Sequence, residues 1–235
     1  MGESVRDVVY NPQAGQRGLL DVFLPESPAG QAVMLLIHGG SLRHFSKERM
    51  AGVAAWLAEV GYVAVATNYR LLQDAPYPAA LDDVLAALAW VRRGASELAG
   101  ADCDKVVVLG ASAGGFLAQM VGVKARSRDV AGVVSVAGPS TTRYEREDGG
   151  YDCPAEQMTA GFPPVLAVHS RNDQLVCWSH ARALTEKADA LGVPSELYLY
   201  CSPTTDHGIW REGSSPPRLN PELEAVIAVF VTRIL

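Results

Sequence analysis

The stretch Leu109-Gly110-Ala111-Ser112-Ala113-Gly114-Gly115 decides the fold. It closes the apolar run Lys105-Val106-Val107-Val108-Leu109 and opens the helical sequence Phe116-Leu117-Ala118-Gln119-Met120-Val121. A strand running into a helix through G-x-S-x-G reads as a nucleophile elbow, a strained turn that exposes the serine hydroxyl above a sheet. Gly110 and Gly114 stand two residues either side of Ser112, where strand and helix pack too closely for a side chain. The plainer reading is a Gly-rich turn that binds a phosphate at a helix N-terminus. The β-branched run before the turn and the helix after it favour the elbow.

Outward from this turn, strands and helices alternate. Toward the N-terminus, Ser4 to Tyr10 and Gly18 to Pro25 predict an antiparallel edge hairpin around Asn11-Pro12-Gln13-Ala14-Gly15. Ala32 to Ile37 is an unbroken apolar run, as in a parallel strand covered on both faces, and it ends in His38-Gly39-Gly40-Ser41. Ser46 is placed to cap a helix from about Lys47 to Val60, with a strand over Tyr62 to Thr67. Pro78 opens a helix whose Ala80, Leu81, Val84, Leu85, Leu88 and Val91 form an apolar stripe.

Beyond the elbow, strands are predicted over Val130 to Val136, Pro164 to His169 and Glu196 to Tyr200, a helix over Ser179 to Leu191, and a closing helix capped by Asn220-Pro221. The pattern implies an α/β fold with a mostly parallel central sheet of about eight strands and helices on both faces. Residues 1–235 read as a single domain with a minimal cap. Only residues 138–162 lack clear periodicity, and they are expected to form a loop or small lid.

A formal net charge of -6 and the lack of any Lys/Arg block argue against a nucleic-acid partner. No apolar leader and no membrane-length apolar run stand in the sequence, so a cytoplasmic protein without a membrane span is expected. Cys103, Cys153, Cys177 and Cys201 are too scattered for a zinc site and read as reduced, mostly buried residues. No metal and no cofactor is expected.

A serine hydroxyl needs a base to take its proton, and the base needs a carboxylate to hold its tautomer. After an elbow these partners follow in the order acid then histidine, each in a loop beyond a strand. His207 is the only histidine after the last predicted strand and is the expected base. His38 is expected to brace its own loop, and His169, His180 and His44 to be core or surface residues. Asp173, just beyond a strand end, is the expected acid. Asp206 is its rival, but as a neighbour of His207 it is badly placed to reach Nδ1, and Asp148 and Asp152 are weaker candidates. Oxyanion donors are expected from the amide of Ala113 and from the loop Gly39-Gly40-Ser41. Leu42, Phe116, Trp178 and Trp210 adjoin these motifs as pocket walls, with Tyr144, Tyr151 and Met158 able to cover the site from the lid.

Together, His38-Gly39-Gly40, Asn68-Tyr69-Arg70-Leu71, Pro78-Ala79-Ala80-Leu81-Asp82-Asp83, Gly110-Ala111-Ser112-Ala113-Gly114-Gly115, Asp173 and His207 resemble the hormone-sensitive-lipase-like esterases and the related kynurenine formamidase group of α/β-hydrolases. The resemblance runs from about Leu20 to His207. It implies Ser112 as nucleophile, Asp173 as orienting acid, His207 as base, and Gly40, Ser41 and Ala113 as oxyanion donors. It also implies structural roles for Tyr69-Arg70 and Asp82. Ser41 stands where the family carries a third glycine or an aromatic residue, and Leu42-Arg43-His44-Phe45 departs from the usual Trp-rich continuation. The segment before His169 is short for the family, which implies an open site.

The expected function is a serine esterase acting on small carboxylic esters through an acyl-enzyme. Formamidase, amidase, lactonase or hydrolase-cyclase chemistry on the same triad is the alternative. A non-catalytic ligand-binding protein on a hydrolase scaffold is the alternative from another class. The expected partner is a small-molecule ester or amide, and a homodimer is compatible with the sequence.

Overall fold

Five strands are mostly apolar and buried along their whole length, and that composition places them at the centre of the molecule, where both faces of a sheet are covered. A computed structural model describes residues 3–27, 32–99, 101–125 and 129–235; Met1 and Gly2 of the N-terminal stretch lie outside them. The elements in chain order are β1 (Ser4–Val9), β2 (Leu19–Phe23), β3 (Val33–Ile37), α1 (Ala51–Glu59), β4 (Val63–Thr67), α2 (Ala79–Ala99), β5 (Val106–Ala111), α3 (Ala113–Lys124) and β6 (Gly132–Val136). There follow the two-residue strands β7 (Tyr144–Glu145) and β8 (Tyr151–Asp152), then α4 (Pro154–Gln157), β9 (Val165–Ser170), α5 (Ser179–Ala190), β10 (Ser195–Tyr200) and α6 (Pro221–Ile234).

The main sheet has the order β1-β2-β4-β3-β5-β6-β9-β10. β2 runs antiparallel to β1 and β4, and the other neighbours pair in parallel. Alternation along each strand sorts the core into two layers. On β3, Val33, Leu35 and Ile37 pack with residues of α2, α3 and α5, whereas Met34 and Leu36 face residues of α1 and α6. Among the described residues no helix is long and apolar enough to cross a membrane.

The elbow glycines are where packing is tightest. A Cβ on Gly110 would lie 2.0 Å from the Gly114 carbonyl oxygen, and one on Gly114 would lie 2.2 Å from that of Ile37. Both obstacles are backbone atoms, which cannot rotate aside. Gly114→Ala is therefore expected to cost about 3 kcal/mol and to lower the melting temperature by about 10 °C. An unchanged calorimetric melting curve would contradict this packing.

Two local expectations are corrected. Residues Lys47–Met50 form a 3-10 turn, and only then does α1 begin. Ser46 makes no side-chain cap; Arg49 N–H donates to the Ser46 carbonyl instead, and Lys47 N–H donates to Asn68 Oδ1. The turn is held by the buried Lys47 ammonium, which pairs with Asp21, Asp7 and Glu48. Asn220 does not cap α6 with its side chain but donates Nδ2–H to the Gly208 carbonyl. The segment 138–162, expected as a loop or small lid, carries the short β7-β8 ribbon and α4 among its loops. Asp152, paired with Lys124 and Arg146 and accepting from the Tyr77 hydroxyl, ties it to α3 and the start of α2.

None of the four cysteines forms a disulfide, and only Cys103 and Cys153 are buried; Cys177 and Cys201 are exposed. The loop after β4 is fixed by a bidentate pair between Arg70 and buried Asp83, so the structural carboxylate is Asp83 rather than Asp82.

Candidate active site

Every group of interest stands beyond the C-terminal end of a parallel strand, where open α/β sheets place their ligand sites. β3 leads into Gly39-Gly40-Ser41, β5 into Ser112, β9 into Asp173 and β10 into His207. Ser112 has φ 54° and ψ -121°, a conformation that costs an L-residue energy. Its amide donates to the Val136 carbonyl at 2.8 Å, which anchors the turn to β6 while the hydroxyl is left at the edge of a cavity.

His207 also has a positive φ, 63°. Its carbonyl accepts from the Tyr200 hydroxyl, and the next residue, Gly208, accepts from Asn220. So held, His207 Nε2 lies 3.0 Å from Ser112 Oγ and Nδ1 lies 2.6 Å from Asp173 Oδ2. The network is satisfied when Nδ1 carries the proton and Nε2 accepts from the serine.

Asp173 is buried and its other oxygen accepts from the amides of Leu175 and Val176. Burial alone would push this carboxyl up; the bond to His207 and the two amides outweigh it and hold the group below the usual aspartate range. The sign follows from linkage: the stability this carboxylate adds is present above the normal aspartate pKa and is lost as pH falls through the depressed one.

Asp206 lines the cavity but, among the described residues, makes no hydrogen bond to the imidazole, Asp148 pairs with Arg146, and Asp152 serves the ribbon. One neighbour escaped the sequence reading. His169, fully buried, places Nε2 3.3 Å from Asp173 Oδ2 and 2.8 Å from the Val176 carbonyl. Its signal is the H-x-x-x-D spacing just before the acid. Burial lowers its pKa, so it stands neutral beside the carboxylate.

His38 braces its loop as expected. Its Nδ1 lies 2.7 Å from the Gly39 carbonyl, and its ring stacks on Tyr69 at 4.3 Å, whose hydroxyl donates to the His38 carbonyl. Burial pushes its pKa down to about 4 from 6.5. Between those values the unfolded chain binds more protons than the folded one, so stability falls as pH drops from 6.5 toward 4. This residue contributes on the order of 3 kcal/mol to that loss. His38→Asn is expected to flatten the slope of unfolding free energy against pH in this window, as read by urea denaturation; an unaltered slope would exclude the assignment.

Gly40 has φ 109° and Ser41 φ 54°, so the chain after β3 turns sharply past the serine. Ala113 is the first residue of α3, and its amide has no intrahelical acceptor. Among the described residues, the amides of Gly40, Ser41 and Ala113 make no hydrogen bond. Gly39, Gly40, Ser41 and Ser112 share one cavity of about 270 Å³ with His44, Phe45, Arg49, Leu175, Asp206, His207, Ile209 and Trp210.

Of the four expected wall residues only Trp210 lines this cavity. Leu42 is fully buried in the core, Phe116 packs against Tyr77 and Tyr144, and Trp178 lies beneath the guanidinium groups of Arg171 and Arg182. Each is apolar next to a motif residue but points into the protein or along its surface. Tyr144, Tyr151 and Met158 do not reach the cavity either: Met158 is buried, Tyr144 packs at a tilt against Phe116, and Tyr151 lies under Arg143. The walls come instead from the 3-10 turn region, through His44, Phe45 and Arg49, and from Leu175.

Comparison with known proteins agrees with this architecture. Esterase LipC of Mycobacterium tuberculosis is 26% identical over 274 aligned residues, covering 97% of this chain and 65% of LipC. The chain spans about two thirds or less of the length of the curated relatives it matches. A truncated carbohydrate esterase from gut microbiota superposes with a TM-score of 0.83 at 19% identity, covering 99% of this chain and 96% of that one. MGS-M1, an alpha/beta hydrolase from a deep-sea metagenome library of the Medee basin, gives 0.80 at 20% identity, covering 99% and 98%. The fold is thus that of the α/β-hydrolases. The model of the BD-FAE family matches residues 20–147, more than half of the sequence, and the chain belongs to that family.

Proposed function

We propose that the protein is a serine hydrolase that cleaves small carboxylic esters, with Ser112 as nucleophile, His207 as general base and Asp173 as the group that orients it. One observation carries the reading: an unbroken path of hydrogen bonds from Ser112 Oγ through both ring nitrogens of His207 to Asp173, ending at an open cavity. The esterase names of LipC and of the gut-microbiota structure support the same activity class.

In this mechanism Ser112 Oγ attacks the ester carbonyl carbon as its proton passes to His207 Nε2. The imidazolium that forms is stabilised by the Asp173 carboxylate. The carbonyl oxygen takes the negative charge, and the amides of Gly40, Ser41 and Ala113 are the donors proposed to receive it. Collapse breaks the bond to the alcohol oxygen, which leaves with the proton from His207. The acyl group is then bound to Ser112. A water molecule, deprotonated by the same nitrogen, attacks the acyl carbon and releases the acid, returning the proton to Ser112. The sheet that carries all these groups spans the chain from β1 to β10, which supports one catalytic domain.

A fluorophosphonate probe tests the assignment directly. Covalent labelling is expected on Ser112, located by peptide mass spectrometry, and is expected to be suppressed by a short-chain ester. Failure of the folded protein to label would favour a non-catalytic binder.

A further inference from the structure

The cavity beside Ser112 contains one cation. Arg49 follows the buried Lys47 on the 3-10 turn, and its guanidinium lies over two rings of the cavity wall, 4.8 Å from the centroid of Trp210 and 5.1 Å from that of Phe45. These contacts are made by the π-faces of the rings, and the N–H donors of the guanidinium are not used by them. Among the described residues the Arg49 side chain makes no hydrogen bond and no ion pair. The cavity residue Asp206 is not paired with it, and the other polar side chains of the wall are Ser41, His44, Ser112 and His207. A half-buried guanidinium with an unused donor edge, between two aromatic rings in a cavity shared with the nucleophile, is the arrangement that a carboxylate completes with paired hydrogen bonds.

We propose that Arg49 is a specificity-determining residue that binds a carboxylate, and that the site prefers esters carrying such a group in their acyl or their alcohol part. The inference rests on the ester-hydrolase reading above. It adds that substrate charge, beyond acyl length, governs turnover.

Two pairs of esters separate the sources of the carboxylate. The mono-p-nitrophenyl ester of adipic acid against p-nitrophenyl hexanoate places it on the acyl side. The pair para-acetoxybenzoate against para-acetoxybenzamide places it on the alcohol side. In at least one pair the anionic ester is expected to show a kcat/KM about tenfold or more above its neutral counterpart. That ratio should fall to about one in Arg49→Met and to an intermediate value in Arg49→Lys, which keeps the charge but loses the fork. On the unmutated protein, added salt should raise KM for the preferred anionic ester and leave that of the neutral one in place.

Ratios of one or less in both pairs, with the neutral esters still cleaved, would overturn the carboxylate site and leave the hydrolase standing. If no ester at all were cleaved, the hydrolase reading would fall. Calorimetric titration with benzoate and adipate would then decide the site alone: binding weakened about tenfold by Arg49→Met sustains it, and absence of binding removes it.

Discussion

Ser112→Ala is expected to reduce kcat/KM for p-nitrophenyl butyrate on the order of 10⁴-fold or more while the protein keeps its melting temperature. The size follows from geometry. Among the described residues the serine oxygen is the one hydrogen-bond partner of His207 Nε2, so its loss leaves the imidazole with no nucleophile to activate. Residual rate would come from binding and the oxyanion donors alone. The methyl group of alanine fits the same turn, although its positive φ is no easier for Ala than for Ser. A variant that retained a tenth of the activity would remove Ser112 from the mechanism.

The second large effect is expected from Asp173→Asn, a loss on the order of 10³- to 10⁴-fold in kcat. The carboxylate accepts from His207 Nδ1 through Oδ2 and from two backbone amides through Oδ1. An asparagine can keep its carbonyl oxygen on the Leu175 and Val176 amides, which turns its NH2 toward the imidazole. That donor demands a bare Nδ1 and moves the ring proton to Nε2, where it opposes the serine hydroxyl. Substrate KM is expected to change little, because Asp173 does not line the cavity. A loss of less than tenfold in kcat would mean that the acid does not set the tautomer.

Strand positions, and the three side chains that the fold brings into one hydrogen-bonded row, were legible because each follows a local rule. An apolar run of strand length, such as Val33 to Ile37, has to be buried on both faces, and the two elbow glycines have no other residue that fits. The order of Ser112, Asp173 and His207 along the chain, each beyond a strand end, was enough to select them from many serines, acids and histidines.

The cavity wall was not legible, for an equally physical reason. Leu42 and Phe116 adjoin the motifs in sequence, but direction decides lining, and the backbone angles after Ser41 and the pitch of α3 turn both inward. The true wall depends on a turn of 3-10 rather than α geometry at Lys47–Met50, set by a long-range contact between Lys47 and Asp21 that no window of sequence contains. The Asp82 and Asp83 correction is of the same kind. Adjacent helical residues face about 100° apart, and only packing reveals which of them meets Arg70.

Asn220 forgoes sealing the first turn of α6 with its side chain and grips the Gly208 carbonyl instead. The final helix is thereby coupled to the reach of the imidazole. A change at this position would loosen the Gly208 carbonyl beside His207 and, through the neighbouring Ile209 and Trp210, one wall of the cavity as well, so the last helix bears on both ends of the site.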